Sequence, residues 1–308
     1  MIMKSVLVTG VSGFVGRHLV NELVDNKYAV LGVGRGSVDI KGLNEYFDLD
    51  LVDPKNINKI DFSNVCSVVH LAGLAAVGPS FNNPVLYLNT NLDIESNIFE
   101  ACIKQDVRPL FLIISSGSLY KPDQKLPLSE KSKIEAPSPY AVSKIGQEEL
   151  AKYYRKRGFK CIIARPFNHI GPGQGLGFIA PDFAHQIYNN IKNNRKDFLV
   201  GNLNAKRDYT DVRDIVRGYR LLIEKGEDGE TYNLCSSKSY SGHSILNKML
   251  ALANVDFKII KDPTKYRSVD YEDIYGSFKK IHETTGWKPN FDLDTSIKDI
   301  MGYWSDLV

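Results

Sequence analysis

The chain has 308 residues, a length that can bury a large core without disulfide or metal staples. It carries 39 Lys and Arg against 36 Asp and Glu, a formal net charge of +3, without long runs of like charge. This balance argues against a nucleic-acid partner, which calls for a basic patch, but it allows a phosphorylated substrate, because such a ligand needs only a few local cations.

The four cysteines are widely spaced and form neither a CxxC pair nor a zinc-binding pattern, so we expect no metal site. We interpret Cys66, Cys102, Cys161 and Cys235 as small buried residues of a protein in a reducing compartment. The first residues lack the apolar core and cleavage site of a signal peptide. Since no apolar run approaches the ~18 residues of a membrane span, we expect a soluble, cytoplasmic protein without membrane contact.

The first half of the chain alternates strand-like and helix-like segments. Continuous apolar runs predict strands at Ser5–Thr9, Tyr28–Val33, Tyr46–Leu51, Ser67–Leu71, Leu110–Ile114 and Lys160–Ala164. Apolar residues at helical spacing predict helices through Leu19–Val24, Ile94–Cys102 and Lys144–Arg157. Unbroken apolar strands are typical of a parallel sheet covered on both faces. The alternation therefore predicts an α/β fold with a Rossmann-type, doubly wound parallel sheet.

The pattern changes after about Arg165, where Gly and Pro crowd residues 171–177 and short helices and strands follow. We predict an NAD(P)-binding Rossmann domain over residues 1–165. Residues 166–308 are expected to form a smaller, mainly substrate-binding α/β part, with the chain crossing back to the Rossmann part.

A glycine-rich turn follows the first predicted strand, with Gly10, Gly13 and Gly16 in the spacing G-x-x-G-x-x-G. Glycines there permit a tight turn and close approach of a ligand, and the next helix directs its free N–H groups at a pyrophosphate. Phe14 and Val15 open that helix. The pattern predicts a dinucleotide-binding turn, the alternative being a tight strand-to-helix connection without a ligand.

The residues at the end of the second predicted strand indicate whether the cofactor is NAD or NADP. A carboxylate there would bind the ribose 2′-OH of NAD, but this chain has Arg35 and Ser37 instead. Cations at this point suit a 2′-phosphate, so NADP(H) is favoured and NAD(H) remains open. The alternatives are that Arg35 is a solvated surface residue and that nearby Asp39 takes the carboxylate role.

A catalytic arrangement is indicated by Tyr140 and Lys144, which lie one helical turn apart on one face. We expect the ammonium to lower the pKa of the phenol from its usual value of about 10, so that Tyr140 exchanges a proton near neutral pH. Ser115 and Ser116 follow a predicted buried strand about 25 residues earlier. A hydroxyl at that strand end can bond the same substrate oxygen, because ligands bind beyond the carboxyl ends of such strands.

Together these elements resemble the extended short-chain dehydrogenase/reductases, the NAD-dependent epimerase/dehydratase family, which act on nucleotide sugars. The resemblance spans nearly the whole chain and implies a catalytic trio of Ser116, Tyr140 and Lys144. It also implies cofactor contacts at Gly10, Gly13, Phe14, Val15, Gly16, Arg35, Asp50, Leu51, Leu71, Ala72, Gly73, Asn91, Tyr140, Lys144 and Pro166. Relatives pair two helices per subunit, one of them the Tyr/Lys helix, so a homodimer is implied as well.

Within that family the second half resembles the GDP-6-deoxy-D-mannose reductases, which reduce a 4-keto-6-deoxy sugar. The resemblance rests on residues 165–174, 200–203 and 207–214. It implies that Asn168 contacts a nucleotide-diphosphate sugar and that Arg207 and Arg267 grip its diphosphate, a task suited to forked guanidinium donors. An ion pair with a nearby Asp is the alternative for Arg207, and the base (GDP, dTDP or UDP) stays open.

One departure from the pattern of the related enzymes limits the reactions that we expect this chain to catalyse. Related 4,6-dehydratases carry a carboxylate two residues after the catalytic Ser/Thr, whereas this chain has Ser118 there and no acid within residues 115–119. Dehydration is therefore disfavoured. We expect NADPH-dependent reduction of a C4 ketone, with an NAD-dependent 4-epimerase as the alternative. A non-catalytic dinucleotide-sensing module is disfavoured because Tyr140 and Lys144 are both present.

Overall fold

The computed structural model of the protein describes residues 5–265 and 271–308. In these residues a seven-stranded sheet forms the centre, and every neighbouring pair of its strands is parallel. Its strands are, in spatial order, β10 (Thr231–Leu234), β6 (Lys160–Pro166), β5 (Leu110–Ile114), β4 (Val65–His70), β1 (Ser5–Thr9), β2 (Ala29–Gly34) and β3 (Glu45–Asp48). The predicted doubly wound α/β fold is confirmed.

Helices cover both faces of this sheet. The helices of the described residues are α1 (Phe14–Asp25), α2 (Pro54–Ile57), α3 (Val77–Ser80), α4 (Pro84–Lys104), α5 (Pro139–Arg155), α6 (Ile179–Lys192), α7 (Val212–Lys225), α8 (Gly242–Ala253), α9 (Lys279–Thr285) and α10 (Leu293–Ser305). Along β1 the side chains alternate, so Val6 and Val8 pack with α1 and α7, and Leu7 packs with α4 and α5. Each face of the sheet thereby gains its own apolar core.

The Ser138-Pro139 pair in the sequence fits a helix start, and helix α5 begins at Pro139 accordingly; it ends at Arg155, two residues before the predicted Arg157. Ser138 is its N-cap, and its hydroxyl accepts a hydrogen bond from the Ala141 N–H at 3.1 Å. Proline suits the first helical position because its missing N–H has no helical partner there. Tyr140 therefore lies in the first turn, at the end of the helix nearest the carboxyl edge of the sheet.

The second part of the chain builds two small sheets. Its other strands are β7 (Asn168–Ile170), β8 (Asp197–Val200), β9 (Lys206–Asp211), β11 (Ser239–Ser241), β12 (Lys258–Lys261) and β13 (Asp273–Ile274). Strand β9 pairs with β7, β11 and β13, and β8 pairs with β12. The expectation of short helices is wrong for α6, α8 and α10, which have 12 to 14 residues because they share an extensive apolar core. Strand β10 and helix α7 return to the central sheet.

The cysteine prediction holds for three of four residues. Cys102, Cys161 and Cys235 are buried, whereas Cys66 is exposed. Cys66 lies at the amino end of β4 beside a register shift against β1, and its thiol donates to the Ser5 carbonyl at 2.9 Å. Its position at the rim of the sheet explains the difference. Within residues 5–265 and 271–308, no helix combines the length and apolarity that crossing a bilayer requires.

Candidate active site

The carboxyl ends of β1, β4 and β5 bring three predicted segments together. These neighbouring strands are followed by Gly10, by residues 71–73 and by Ser116. Because parallel strands end at one edge of the sheet, the three segments line a common crevice, which is where ligands bind in such folds.

The glycine turn has the backbone that the sequence pattern requires. Gly10 has φ +68°, and a Cβ there would lie 2.9 Å from the backbone of Ala72. A Cβ on Gly16 would lie 2.6 Å from the carbonyl oxygen of Gly10. The N-cap of α1 is Gly13, so no side chain shields the helix start at Phe14 and Val15. Gly10 and Gly16 thus let the turn pack closely against its neighbours, and the unshielded start of α1 after Gly13 fits the pyrophosphate of a dinucleotide.

Arg35 directly follows β2 and is exposed. Its guanidinium makes no hydrogen bond or ion pair with any residue that the structure describes. The loop beneath it is anchored elsewhere: the Gly36 N–H donates to the Asp48 carboxylate at 2.7 Å, and the Tyr46 hydroxyl donates to the Gly36 carbonyl at 2.6 Å. Arg35 is thus presented on an ordered turn that the Asp48 carboxylate holds.

Asp50 and Leu51, the predicted adenine-binding pair, follow β3. Asp50 is exposed and accepts from the Val52 N–H at 3.1 Å, while the Leu51 side chain is buried. Asn97 on α4 donates to the carbonyls of Leu51 and Val52 at 3.0 and 2.9 Å. The sequence does not predict this role of Asn97, because no motif around Asn97 indicates a contact with a loop that lies 45 residues away.

The resemblance implies that Asn91 contacts the cofactor, but its side chain lies inside the protein. Its side chain is fully buried, accepts from the Leu74 N–H at 2.7 Å and donates to the Ser143 hydroxyl at 2.8 Å. Gly73 has φ +147°, and a Cβ there would lie 2.6 Å from the Asn91 Oδ1. Asn91 therefore braces the loop at Leu71–Leu74 against helix α5, and Gly73 allows the two to approach.

Tyr140 and Ser116 form the reactive end of the site. The Ser116 and Ser118 hydroxyl oxygens lie 2.8 Å apart. Burial raises the pKa of Tyr140 to about 12, and the Ser116 hydroxyl opposes this rise. The phenol thus keeps its proton at neutral pH, which suits a proton donor. The expectation that the neighbouring ammonium lowers this pKa is wrong, because burial dominates and Lys144 Nζ lies 5.9 Å from the ring centroid.

Lys144 is turned toward the protein interior. Its ammonium donates to the Ile114 carbonyl and to the Gln147 Oε1, each at 2.8 Å. The Gln147 amide nitrogen lies 3.1 Å from His70 Nε2. Burial and the charge of Lys144 lower the pKa of His70 to about 3, so the imidazole is neutral. His70 Nδ1 lies 3.0 Å from the Thr9 hydroxyl, which connects Lys144 to the start of the glycine turn.

A buried ion pair fixes the loop that carries Ser116. Arg165 donates to both carboxylate oxygens of Glu148, at 2.8 and 2.6 Å. Glu148 also accepts from the Ser115 hydroxyl at 2.5 Å, and Arg165 reaches the Tyr120 hydroxyl at 3.1 Å. Of the two serines considered in the sequence, Ser115 is thus held by the buried ion pair, whereas the Ser116 hydroxyl has its partners in Ser118, whose N–H donates to it at 3.1 Å. Glu148 and Arg165 were not anticipated, since their pairing joins a helix to a strand.

The predicted substrate residues Asn168 and Arg207 lie on β7 and β9 of the small sheet. Asn168 is exposed and pairs in register with Tyr209, two positions after Arg207. The Arg207 guanidinium donates to the Tyr271 carbonyl at 2.7 Å. Arg267 lies outside the described residues. Pro166 is buried at the end of β6, in register with Leu234.

Among the residues with defined placement, no group of three or more His, Cys, Asp and Glu side chains is arranged to hold a metal ion. The described geometry places the glycine turn in the same crevice as the buried Tyr140 and the half-buried Ser116.

Known proteins share this architecture. Residues 6–235 match the NAD dependent epimerase/dehydratase family. The GDP-6-deoxy-D-mannose reductase of Pseudomonas aeruginosa is 33% identical over 313 residues, which cover 99% of this chain and 98% of the relative.

Solved structures show the same likeness. RMD from Pseudomonas aeruginosa, complexed with NADPH, superposes with a TM-score of 0.88 at 31% identity and covers 100% of this chain and 99% of its own. The UDP-glucose 4-epimerase of Thermotoga maritima, solved with UDP-glucose, gives a TM-score of 0.88 at 26% identity, covering 98% and 99% of the two chains. The chain belongs to the NAD dependent epimerase/dehydratase family and is a nucleotide-sugar-modifying enzyme that uses a nicotinamide cofactor.

Proposed function

We propose that the protein reduces the C4 ketone of a nucleotide-linked 4-keto-6-deoxyhexose with NADPH, as part of deoxysugar-nucleotide biosynthesis. The observation that carries the proposal is Arg35, which stands exposed and without a described partner at the end of β2. A guanidinium at this point suits a 2′-phosphate. A reductase exchanges its cofactor at every turnover, and the full-length reductase relative and its NADPH complex support the same assignment.

Bound NADPH would supply the hydride for C4, and the glycine turn with Arg35 would hold its phosphates. The chain's own residues would complete the reaction. Tyr140, whose pKa burial raises to about 12, keeps its proton at neutral pH and delivers it to the C4 oxygen. The Ser116 hydroxyl orients that oxygen, and Lys144 is proposed to hold the nicotinamide ribose and to stabilise the phenolate until solvent returns the proton.

Ser118 supports ketone reduction over dehydration. Its hydroxyl lies 2.8 Å from that of Ser116, where eliminating enzymes need an acid. A serine hydroxyl cannot assist the loss of water as a carboxylic acid does, because it is too weak an acid to give up its proton to the leaving oxygen at neutral pH. Asn168 and Arg207 on neighbouring strands are proposed to bind the nucleotide diphosphate together with Arg267, with the fork of Arg207 directed at phosphate oxygens.

A 4-epimerase that retains NAD is the second candidate. The likeness to the UDP-glucose 4-epimerase favours it, since the fold superposes over almost the whole chain. An epimerase consumes no external cofactor, because the hydride removed from C4 returns to C4.

The deciding experiment follows NADPH absorbance with purified protein and GDP-, dTDP- and UDP-linked 4-keto-6-deoxyhexoses, with NADH in parallel. We expect NADPH consumption with one of these sugars and slower consumption of NADH. Release of protein-bound NAD on denaturation, with no consumption of either reduced cofactor, would contradict the reductase and support the epimerase.

We further propose a homodimer through helices α4 and α5. These adjacent helices expose apolar side chains at Val85, Leu86, Val142 and Tyr153. Exposed apolar patches favour association. Light scattering should give twice the chain mass of 34.6 kDa, and a monomer at micromolar concentration would contradict the proposal.

A further inference from the structure

We propose that the buried ion pair of Glu148 with Arg165 is a positioning device for Ser116, because it holds both ends of segment 115–120, which carries this serine. The inference rests on the proposed reaction at C4 of the sugar, but it applies equally to a reductase and to a 4-epimerase. The motifs of the sequence assign no role to either charged residue.

The first end of the segment is held by the catalytic helix. Glu148 follows Lys144 by one turn of α5 and therefore lies on the same face of the helix. The Lys144 ammonium donates to the Ile114 carbonyl at 2.8 Å. Glu148 Oε1 accepts from the Ser115 hydroxyl at 2.5 Å. Two consecutive residues at the end of β5 are thus bound by this helix face, and Ser116 is the next residue.

The second end of the segment is held by Arg165 of β6. Its guanidinium donates to the Tyr120 hydroxyl at 3.1 Å, and that hydroxyl in turn donates to Asn233 Oδ1 at 2.6 Å. Arg165 also donates to both carboxylate oxygens of Glu148, at 2.8 and 2.6 Å. One ion pair therefore binds the residue before Ser116 and the residue after the turn that Ser116 begins.

The four residues of this arrangement are shielded from water. Each is at most 4% exposed: Ser115, Tyr120, Glu148 and Arg165. A buried ion pair is by itself weak evidence for stability, since apolar side chains of similar size often serve as well. Apolar side chains could not, however, make the directed bonds to the two hydroxyls. Charge-assisted bonds of this kind are short and geometrically specific, which suits a positioning role.

Only a short turn separates the two held ends. Ser116 is the N-cap of the 3₁₀ turn Gly117–Leu119, and its hydroxyl accepts from the Ser118 N–H at 3.1 Å. A hydrogen bond from the Ser116 side chain also acts on Tyr140, where it opposes the rise in pKa that burial causes. Reacting groups need to be held within about 0.5 Å of their productive positions. Release of either end should therefore displace the hydroxyl that orients the C4 oxygen.

The first test is Ser115→Ala, which releases one end and leaves the ion pair intact. The variant is assayed with a GDP-, dTDP- or UDP-linked 4-keto-6-deoxyhexose that the unaltered protein reduces. We expect kcat per NADPH-binding site to fall about 10-fold, since a misplacement of about 1 Å can cost roughly 10²-fold. KM for the sugar and the dissociation constant of NADPH should change by less than about twofold, because the lost interaction serves the chemical step.

Ser296→Ala is the matched control for stability. The Ser296 hydroxyl is also buried and donates to the Asp211 carboxylate at 2.6 Å. That carboxylate is paired with Arg213 at 2.8 and 2.7 Å, so the control removes the same kind of bond from another ion pair. We expect a similar loss of stability against denaturant and an unchanged kcat.

Two further variants test the ion pair itself. Tyr120→Phe keeps the ring that stacks on Phe167 and removes only the hydroxyl at the second end, so kcat should again fall about 10-fold. In a Glu148→Gln background, adding Ser115→Ala should lower kcat by less than about twofold, because the partner of the hydroxyl is already altered. If Glu148→Gln does not fold, Tyr120→Phe still tests the arrangement.

A kcat of Ser115→Ala equal to that of the unaltered protein would overturn the proposal, as would equal losses of kcat in Ser115→Ala and Ser296→Ala. If the unaltered protein reduces none of the sugars, the reductase assignment fails, and the variants are assayed for 4-epimerisation of UDP-glucose instead. Amide hydrogen exchange needs no substrate and should be faster in segment 115–120 of Ser115→Ala than in the unaltered protein. Unchanged exchange there would overturn the proposal whichever reaction the protein catalyses.

Discussion

The cofactor side and the substrate side of the crevice are built by different means. On the proposed cofactor side, the candidate residues follow the ends of adjacent parallel strands, and Gly10 and Gly16 allow the backbone of the turn to pack closely there. On the substrate side, Asn168 and Arg207 lie on strands of a separate small sheet. There the neighbouring Asp208 carboxylate accepts from the N–H groups of Ser236, Ser237 and Gly276.

This difference shows where specificity can change without loss of the fold. The glycine turn on the cofactor side depends on backbone conformation, so we expect substitutions within that turn to disturb structure and cofactor binding together. The substrate surface depends on side chains that project from a sheet held by long-range hydrogen bonds, so a single side chain can alter recognition alone. The following predictions test that contrast.

The largest effect is expected where the two sides meet, at Tyr140. Tyr140→Phe removes the proton donor and should lower kcat by roughly 10²- to 10⁴-fold, the usual contribution of a general acid. Tyr303→Phe on helix α10, where the side chain is 38% exposed, is the matched control and should keep full activity. A Tyr140→Phe enzyme with more than a tenth of the normal kcat would exclude Tyr140 as the proton donor.

Arg35 should show that a side chain on the cofactor side controls cofactor choice without affecting the fold. Arg35→Ala is expected to weaken NADPH binding by about 10- to 100-fold, the value of charge-assisted hydrogen bonds of roughly 1.5–3 kcal/mol. NADH serves as the internal control, because it lacks the 2′-phosphate and should bind as before. Equal losses for both cofactors would mean that Arg35 acts through the loop rather than on the phosphate.

Arg207→Lys tests the substrate side with the charge retained. Loss of the planar fork should raise KM for the nucleotide sugar by about 10-fold and leave kcat nearly unchanged, since the phosphate lies away from the reacting carbon. Arg157→Lys, at an exposed pair with Glu100, is the control. A lower kcat with an unchanged KM would place Arg207 in the chemical step instead.

Gly16→Ala tests whether backbone geometry alone forms the cofactor surface. A Cβ at this position lies 2.6 Å from the carbonyl oxygens of Gly10 and Val11, so we expect about 1–3 kcal/mol less stability together with weaker NADPH binding. Gly78→Ala, with nothing within 4 Å of the added carbon, should change neither quantity. Denaturant unfolding measures the stability, and cofactor titration measures the affinity for NADPH. A change in only one of these two quantities would contradict the claim that the backbone of the turn determines both.

The strands and the helix start on the cofactor side could be predicted well, because the sequence signals for them are local. The strands at Ser5–Thr9 and Leu110–Ile114 have the predicted bounds, and Ser138–Pro139 marks the start of the catalytic helix. Each of these features depends on residues within a few positions of one another, which is the range over which apolar periodicity and capping chemistry operate.

The orientation of Lys144 could not be predicted, because long-range contacts determine it. Its ammonium bonds to the Ile114 carbonyl, which lies 30 positions away on a strand. The sequence predicted that Tyr140 and Lys144 share a helix face, which is correct, but it carried no information on the burial that raises the pKa of Tyr140. The network around His70 and Gln147 was missed for the same reason, since its members lie 77 positions apart.

The most direct test of the proposed reaction follows a labelled hydride. NADPH carrying deuterium at the transferring C4 position of the nicotinamide is incubated with the 4-keto sugar that supports turnover, and the product is analysed by mass spectrometry and NMR. We predict one deuterium, bound to C4 of the sugar, for each NADPH consumed. A C4-epimerised product without deuterium, formed while the labelled NADPH remains intact, would contradict the reductase and establish the epimerase.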